Sequence, residues 1–114
     1  MSDLEEIRRR LRAFADARDW DQFHSPKNLS MALVAEAGEL VEHFQWLTED
    51  ASRSLPASER DAVALELADI QLYLVLLADR LGVDLAEAAR RKIAINEERY
   101  PAAAVRGCAK KPRP

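Results

Sequence analysis

The sequence is poor in the residues that build disulfide-linked, thiolate-rich or strand-rich proteins. Its 114 residues include one cysteine, three glycines and five prolines. A lone Cys108 forms no internal disulfide and supplies no thiolate metal cluster, which fits a reducing cytosol. Ala, Leu, Glu and Arg dominate instead, and these residues favour helix. With no alternating strand pattern and no internal repeat, the sequence predicts an all-α fold, a helical bundle.

Long uninterrupted apolar runs are also missing. The first residues, "MSDLEEIRRRLRAF", lack the apolar segment of a secretory signal. The most apolar stretch, residues 62–78, is interrupted by Glu66, Asp69 and Gln71, which argues against a membrane span. We therefore expect a cytoplasmic protein with no membrane partner.

Charge is divided unevenly along the chain. Residues 1–89 carry 18 acidic and 9 basic side chains, a net charge of −9, whereas residues 90–114 carry 8 basic and 2 acidic ones, a net charge of +6. A predominantly acidic body disfavours nucleic acid as a partner. We interpret residues 1–101 as one domain and residues 102–114 as a flexible basic tail.

Apolar spacing and cap residues predict four helices. The first spans residues 3–18, where apolar side chains recur every three or four residues. The second spans residues 26–47, with Ser25 as N-cap and Pro26 in the first turn. The third should open with a capping box at Ser58 and Asp61 and end near Gly82, and the fourth should run from Asp84 to just before Pro101.

The third helix is apolar in nearly every direction between residues 62 and 78. A helix of this kind is buried on all sides. Three other helices of one small chain cannot cover it easily, so we expect a homo-oligomer, either a dimer or a tetramer.

Four carboxylates interrupt the second and third helices: Glu36, Glu39, Glu66 and Asp69. Residues three apart share a helix face, and antiparallel packing of the two helices would bring both pairs together. Four convergent carboxylates repel one another unless a cation joins them, and hard oxygen ligands favour Mg²⁺ or Mn²⁺ over zinc. The alternative is that they are solvent-facing residues of amphipathic helices.

A di-iron bundle would also use helical glutamates, but it needs Glu-x-x-His pairs on two helices. His24 and His43 have Asp21 and Leu40 three residues before them, so this alternative is disfavoured.

Several motifs resemble one known family. "EAGEL" at 36–40 and "ELADI" at 66–70 resemble the ExxE…ExxD signature of the MazG-like, all-α nucleoside triphosphate pyrophosphohydrolases. "RDWDQFHSPKNLSMALVAEAGELVEHFQW" and "YLVLLADRLGVDLAEAARRKIAINEERYP" resemble its dCTP pyrophosphatase branch. The resemblance covers about residues 4–101.

The resemblance implies hydrolysis of a nucleoside triphosphate between the α- and β-phosphates, most simply of dCTP or a modified dCTP, in nucleotide pool cleaning. Glu36, Glu39, Glu66 and Asp69 would be the catalytic Mg²⁺ ligands, with Mn²⁺ as a substitute. Glu36 and Glu39 would share in activating the attacking water. The alternative from another class is a non-catalytic helical module that senses nucleotides or binds a protein.

By the same resemblance, Trp20 and Trp46 would form the nucleobase pocket, near Tyr73, with Gln22 and His24 reading the base edge or sugar. The resemblance also implies residues that bind the triphosphate or contact a neighbouring subunit: Lys92, Asn96, Arg99 and Tyr100. The alternatives are that the tryptophans are core anchors and that the cations only suit a helix C-terminus. Leu11 stands where some relatives carry a His, which puts the cytosine preference in question.

Overall fold

The computed structural model describes residues 2–109, and every regular element in that range is helical. The prediction of an all-α fold is therefore confirmed. None of the helices in these residues has the length and apolarity to cross a membrane. The elements are α1 Asp3–Ala17, a 3-10 turn at Asp21–Phe23, α2 Pro26–Glu42, α3 Glu49–Ser52, α4 Ala57–Leu81, α5 Leu85–Arg99 and α6 Ala102–Val105.

Short polar side chains cap the N-termini of four helices, three of them longer than ten residues. Ser2, Ser25 and Asp84 each accept a hydrogen bond from the backbone N–H three residues on, at 3.2, 3.1 and 3.0 Å. These bonds satisfy N–H groups that have no partner within the helix. Pro26 stands at the first position of α2, where its missing N–H costs nothing. The caps predicted at Ser25 and Asp84 are confirmed.

The predicted end of the second helix is wrong, because α2 ends at Glu42 and not at residue 47. Beyond it the chain turns more tightly, with the N–H of Leu47 bonded to the carbonyl of Phe44 at 2.9 Å. Thr48 then caps the short helix α3 by accepting from the N–H of Ala51 at 3.1 Å. That cap needs extended backbone at Thr48, so α2 cannot continue through the connector.

The predicted capping box at Ser58 and Asp61 is also wrong. The N-cap of α4 is Pro56, with extended backbone, and Ser58 already lies in the first turn. A proline fixes its own φ and disfavours helical backbone in the residue before it, so Pro56 decides where the helix starts. At the other end Gly82 adopts φ 67° in the left-handed region, and the predicted stop near this glycine is confirmed.

Helix α4 packs against both α2 and α1. His43 and Trp46, just past α2, share a cavity with Ser58 at the start of α4, while Glu36 meets Glu66 midway along both helices. The two helices are therefore antiparallel, as predicted. The buried apolar side chains of this packing are Ala15, Leu29, Val63, Val75, Leu76 and Ala78.

Two ion pairs join α4 to the preceding segments. Arg12 on α1 donates to both carboxylate oxygens of Asp79, at 2.7 Å from Nε and 2.5 Å from Nη2. Its guanidinium holds the pKa of the Asp79 carboxyl below its ordinary range. One residue on, Arg80 donates from Nη2 to Oδ1 of Asp21 at 2.5 Å, which ties the 3-10 turn to the same end of α4.

Within one chain, α4 is not buried on all sides. Leu65 is 71% exposed, and further exposed leucines recur every seven residues at Leu67, Leu74 and Leu81. On α2 a second exposed apolar stripe is formed by Met31, Val34 and Val41. A single chain leaves both of these faces uncovered.

The chain divides into two compact units, Met1–Gly82 with α1 to α4 and Val83–Pro114 with α5 and α6. The proposed tail starts with helix α6 at residues 102–105, and its residues 110–114 lie outside the described part of the chain. The flexible character of residues 102–114 stays a prediction.

Candidate functional site

Three of the four predicted carboxylates meet where α2 crosses the middle of α4. Glu36, Glu39 and Glu66 each place one carboxylate oxygen within 4.8 Å of the other two. The Glu36 and Glu66 side chains are half-buried, and Glu39 is exposed. Asp69 is not one of the three, yet its charge reaches Glu36. We call these four residues the carboxylate cluster.

The pKa of Glu36 reflects the burial of this carboxyl and its repulsion by the neighbouring carboxylates. It rises from 4.5 to about 7, first because burial disfavours the charged form, and then because of a hydrogen bond with Glu39 and the charges of Glu39 and Asp69. Like charges this close disfavour one another's ionised form, so the carboxyl of Glu36 titrates near neutral pH.

The cluster has the properties of a hard-cation site. One oxygen of Glu36 and one of Glu66 (Oε2 in each) is buried, with no hydrogen-bond partner in the described residues. Buried polar atoms are normally partnered, and carboxylate oxygens are the ligands that Mg²⁺ prefers. Within residues 2–109 no arginine or lysine forms a salt bridge with the four carboxylates. The donor set therefore fits a divalent cation.

A second group of predicted residues lies in the aromatic loop, residues 19–24, between α1 and α2. The loop begins with a Schellman turn, in which the N–H of Trp20 bonds to the carbonyl of Ala15 and that of Asp19 to the carbonyl of Asp16, at 3.0 and 3.2 Å. Asp19 has φ 53°, a left-handed backbone that aspartate tolerates better than most residues. The turn directs Trp20 back onto Phe14, edge to face at 5.6 Å between ring centroids.

The polar residues of the aromatic loop differ in their availability. Gln22 donates from Nε2 to the backbone and side-chain oxygens of Asp19 at 3.0 and 3.2 Å, so its amide already supports the turn. His24 lies edge to face with Trp20 at 6.4 Å between centroids. Its buried Nδ1 has no hydrogen-bond partner among residues 2–109. His24 is therefore the member with unused hydrogen-bonding capacity.

Trp46 lies apart from both the carboxylate cluster and the aromatic loop. It follows α2 in the turn and is 88% exposed. It lines an open cavity of about 400 Å³ together with Glu42, His43, Leu47, Ser58, Glu59 and Ala62. No other predicted site residue lines this cavity. The cavity therefore does not connect Trp46 with the carboxylate cluster within one chain. Tyr73 is half-buried on α4, one turn beyond Asp69.

The predicted phosphate-binding residues belong to the second compact unit. Lys92, Asn96 and Arg99 lie on α5, where Lys92 and Arg99 are exposed and Asn96 is half-buried. Tyr100 ends the helix by donating its N–H to the carbonyl of Asn96 at 2.7 Å, and the guanidinium of Arg99 lies 5.5 Å from the centre of its ring.

The sequence interpretation missed the link between Arg80 and the aromatic loop. Asp21 and Arg80 are 59 residues apart, and helical periodicity says nothing about pairs between a loop and a distant helix. The one available signal was the arginine in the last turn of α4, which alone indicates only a favourable interaction with the helix dipole.

Comparison with known proteins decides the family. The family model described as "MazG-like family" matches residues 31–112, a range that includes the entire carboxylate cluster. The chain belongs to the MazG-like family. The resemblance found in the sequence is thereby confirmed.

Two relatives of this MazG-like chain that are about half identical to it share a name. It is 50% identical over 108 residues to dCTP pyrophosphatase 1 of Mus musculus, covering 93% of this chain and 64% of the relative. It is 49% identical over 110 residues to dCTP pyrophosphatase 1 of Homo sapiens, covering 95% and 65%. The chain thus spans about two thirds of the length of these curated relatives.

A solved structure supports the MazG-like fold independently. The crystal structure of a pyrophosphatase from Archaeoglobus fulgidus DSM 4304 aligns with a TM-score of 0.83 at 36% sequence identity. The alignment covers 89% of this chain and 94% of that one.

Proposed function

We propose that this protein is a Mg²⁺-dependent nucleoside triphosphate pyrophosphohydrolase that acts on dCTP or modified dCTP. The observation that carries the proposal is the carboxylate cluster, with two buried, unpartnered oxygens and no balancing protein cation in the described residues. The names of relatives that are about half identical to the chain support the reaction class and the base. The products would be the monophosphate and pyrophosphate.

Glu36, Glu39, Glu66 and Asp69 would hold the cation, with Mn²⁺ as a possible replacement. When bound, a divalent cation neutralises phosphate charge and activates water for attack at the α-phosphorus. Attack breaks the bond to the oxygen that bridges the α- and β-phosphates, and that oxygen leaves with pyrophosphate. Without the cation the pKa of Glu36 is about 7, so binding of the cation would release the proton that the cluster shares, and the carboxylates could then orient the attacking water.

The remaining predicted residues would bind the nucleotide. Trp20 offers a ring face on which a base can stack, worth about 1–3 kcal/mol. His24, edge to face with Trp20, would read the base edge or sugar beside it. Gln22, Tyr73 and Trp46 would complete this recognition. A role on a triphosphate or at a neighbouring subunit would belong to Lys92, Asn96, Arg99 and Tyr100.

The same proposal includes a homo-oligomer, a dimer or a tetramer. Val34 is 71% exposed in the apolar stripe on α2, and Trp46 is 88% exposed. Exposed apolar faces of this kind mark protein contacts, and a second copy would cover them. Val34→Glu should dissociate the oligomer in sedimentation experiments, whereas Lys27→Glu, an exposed change on the same helix, should leave it intact. An unchanged mass for Val34→Glu would contradict this interface.

The test of function is pyrophosphate release from a panel of canonical and modified dNTPs and rNTPs, with Mg²⁺ and with EDTA. We expect metal-dependent release with a preference for cytosine nucleotides. Release from nucleotides with many different bases would support the pyrophosphohydrolase reaction and reject the dCTP preference. No release by the folded protein would reject the enzyme and favour a nucleotide-sensing module. We place this activity in the cytoplasm, and the acidic residues 1–89 argue against nucleic acid as a partner.

A further inference from the structure

The aromatic loop is attached to the rest of its unit by few polar contacts. On one side it continues from α1 through the Schellman turn, and on the other Asn28 donates to the carbonyl of Phe23 at 3.0 Å as α2 begins. Among residues 2–109, the long-range polar contact of the loop is the pair between Arg80 and Asp21, at 2.5 Å. Asp21 is the residue between Trp20 and Gln22, so a force on its carboxylate acts directly on the predicted base-reading residues.

Arg80 is well placed to exert such a force. Its side chain is 34% exposed, and that of Asp21 is 47% exposed, so the pair is partly shielded from water. A charge-assisted hydrogen bond of this kind is stronger than a neutral one. Arg80 lies in the last turn of α4, the helix that also carries Glu66 and Asp69. One rigid helix therefore holds both the aromatic loop and half of the carboxylate cluster.

A second acidic group makes the arginine more important. Asp16, at the end of α1, is near enough to Asp21 that a hydrogen bond and charge repulsion between them raise the pKa of Asp16. The positive charges of Arg80 and Arg12 act in the opposite direction. Without Arg80, the carboxylates of Asp16 and Asp21 would repel each other, and the 3-10 turn would move away from α1.

Movement of the turn would disturb Trp20. Its ring is 43% exposed and is held between Phe14 and His24 by edge-to-face contacts. Arg18 covers Phe14, with its guanidinium 3.6 Å from the centre of the phenyl ring. These ring contacts are weak individually, so they do not fix the loop alone.

We propose that Arg80 is a positioning residue for nucleobase recognition: through Asp21 it fixes the aromatic loop on the helix that carries Glu66 and Asp69. This inference rests on the proposed function only for its kinetic consequence. The mechanical part, that Arg80 holds Trp20 in place, stands on the ion pair alone.

The first test of this inference is kinetic. Arg80→Gln should raise KM for the preferred nucleotide about tenfold, the loss of about one charge-assisted contact, with kcat within about twofold. Asp21→Asn should also raise KM, but by less, because it removes the repulsion between Asp16 and Asp21 together with the ion pair. The double variant should be no worse than Arg80→Gln, because both changes remove the same interaction. Arg80→Lys, which keeps the charge and loses the planar fork, should lie between Arg80→Gln and the wild type.

The second test needs no turnover. In a Trp46→Phe background Trp20 is the only tryptophan, and its quenching by acrylamide reports its exposure. Arg80→Gln should raise the quenching constant about twofold, toward the value for a ring as open as Trp46, since Trp20 is 43% and Trp46 88% exposed. If the wild type shows no turnover, the proposed function fails, and this measurement still decides the role of Arg80.

Arg12→Gln is the matched control. It removes the bidentate ion pair to Asp79, the neighbour of Arg80 on α4, and within residues 2–109 no hydrogen bond or ion pair joins Arg12 to the aromatic loop. It should lower stability and change KM and Trp20 quenching much less than Arg80→Gln does, because Arg80, which has the larger effect on Asp16, remains in place. Equal changes in the Arg12 and Arg80 variants would overturn the inference, because they would show a general loosening of α4. Unchanged quenching in Arg80→Gln would overturn it as well.

Discussion

Two acidic groups border α4, and they differ in what balances their charge. Near the middle, the carboxylate cluster meets no salt-bridge partner within residues 2–109, and the pKa of Glu36 rises to about 7. Near the C-terminal end, Asp79 is paired with Arg12 and Asp21 with Arg80, and the pKa of Asp79 falls.

This difference distinguishes a candidate binding site, the carboxylate cluster, from the paired carboxylates that stabilise the fold. A carboxylate paired with an arginine is satisfied inside the fold and contributes to its stability. Carboxylates that are buried together without a cation destabilise the fold until one binds. The same residue types on one helix therefore serve two purposes, and the presence or absence of arginine distinguishes them.

The largest expected effect comes from removing a ligand in the unbalanced group. Glu66→Gln should lower pyrophosphate release by more than the about 10- to 100-fold typical of a residue that only supports a metal ligand. Circular dichroism should show an unchanged helical content. Asp61→Asn, an exposed carboxylate on the same helix, is the control and should keep full activity. Full activity in Glu66→Gln would remove Glu66 from the cation site.

The next effect concerns stability with and without metal. At a Mg²⁺ concentration of about 100 times Kd, the wild type should gain about 2.7 kcal/mol in free energy of unfolding over its state in EDTA. Glu39→Gln should lose this gain because it removes a ligand. In EDTA, however, the variant should unfold at no lower temperature than the wild type, since it relieves repulsion in the cluster. Differential scanning calorimetry measures both, and a gain kept by Glu39→Gln would contradict the assignment.

A smaller effect of opposite sign is expected in the paired group. Asp79→Asn should lower the free energy of unfolding by about 1–2 kcal/mol at pH 7, somewhat less than a fully buried charged hydrogen bond because the Arg12 side chain is 56% exposed.

The pH dependence of that effect follows from the lowered pKa of Asp79. Because the folded pKa is below the ordinary value of 3.8, the ion pair contributes fully above about pH 4 and is lost as pH falls through the folded value. The difference between wild type and Asp79→Asn in urea unfolding should therefore shrink below about pH 4. A difference that stays constant from pH 7 to pH 3 would show that the pair contributes nothing through its charge.

Much of the cluster could be predicted from the sequence because its information is local. Glu36 and Glu39, like Glu66 and Asp69, are three residues apart in apolar helices, and that spacing alone places each pair on one face. The caps at Ser25 and Asp84 and the stop at Gly82 are equally local, since each depends on a few neighbouring backbone groups.

The errors arose where distant or competing interactions decide the structure. Helix α2 ends at Glu42 and the chain continues in tight turns to the cap at Thr48, although the apolar pattern of the sequence continues through Trp46. The pair between Arg80 and Asp21 depends on how α4 packs beside the aromatic loop, which no spacing encodes. In one chain Trp46 lines a cavity at the other end of α2 from Trp20, so their shared nucleobase pocket stays a prediction.

The left-handed backbone of Asp19 has a consequence for how this protein can change by mutation. Either aspartate codon becomes a glycine or an asparagine codon by a single base change, and both residues adopt this backbone readily. Single-base changes to valine, alanine or tyrosine would instead cost about 1–2 kcal/mol at the turn that presents Trp20. Of the single-base changes at position 19, those to glycine and asparagine should therefore keep the backbone of the turn with the smallest loss of stability.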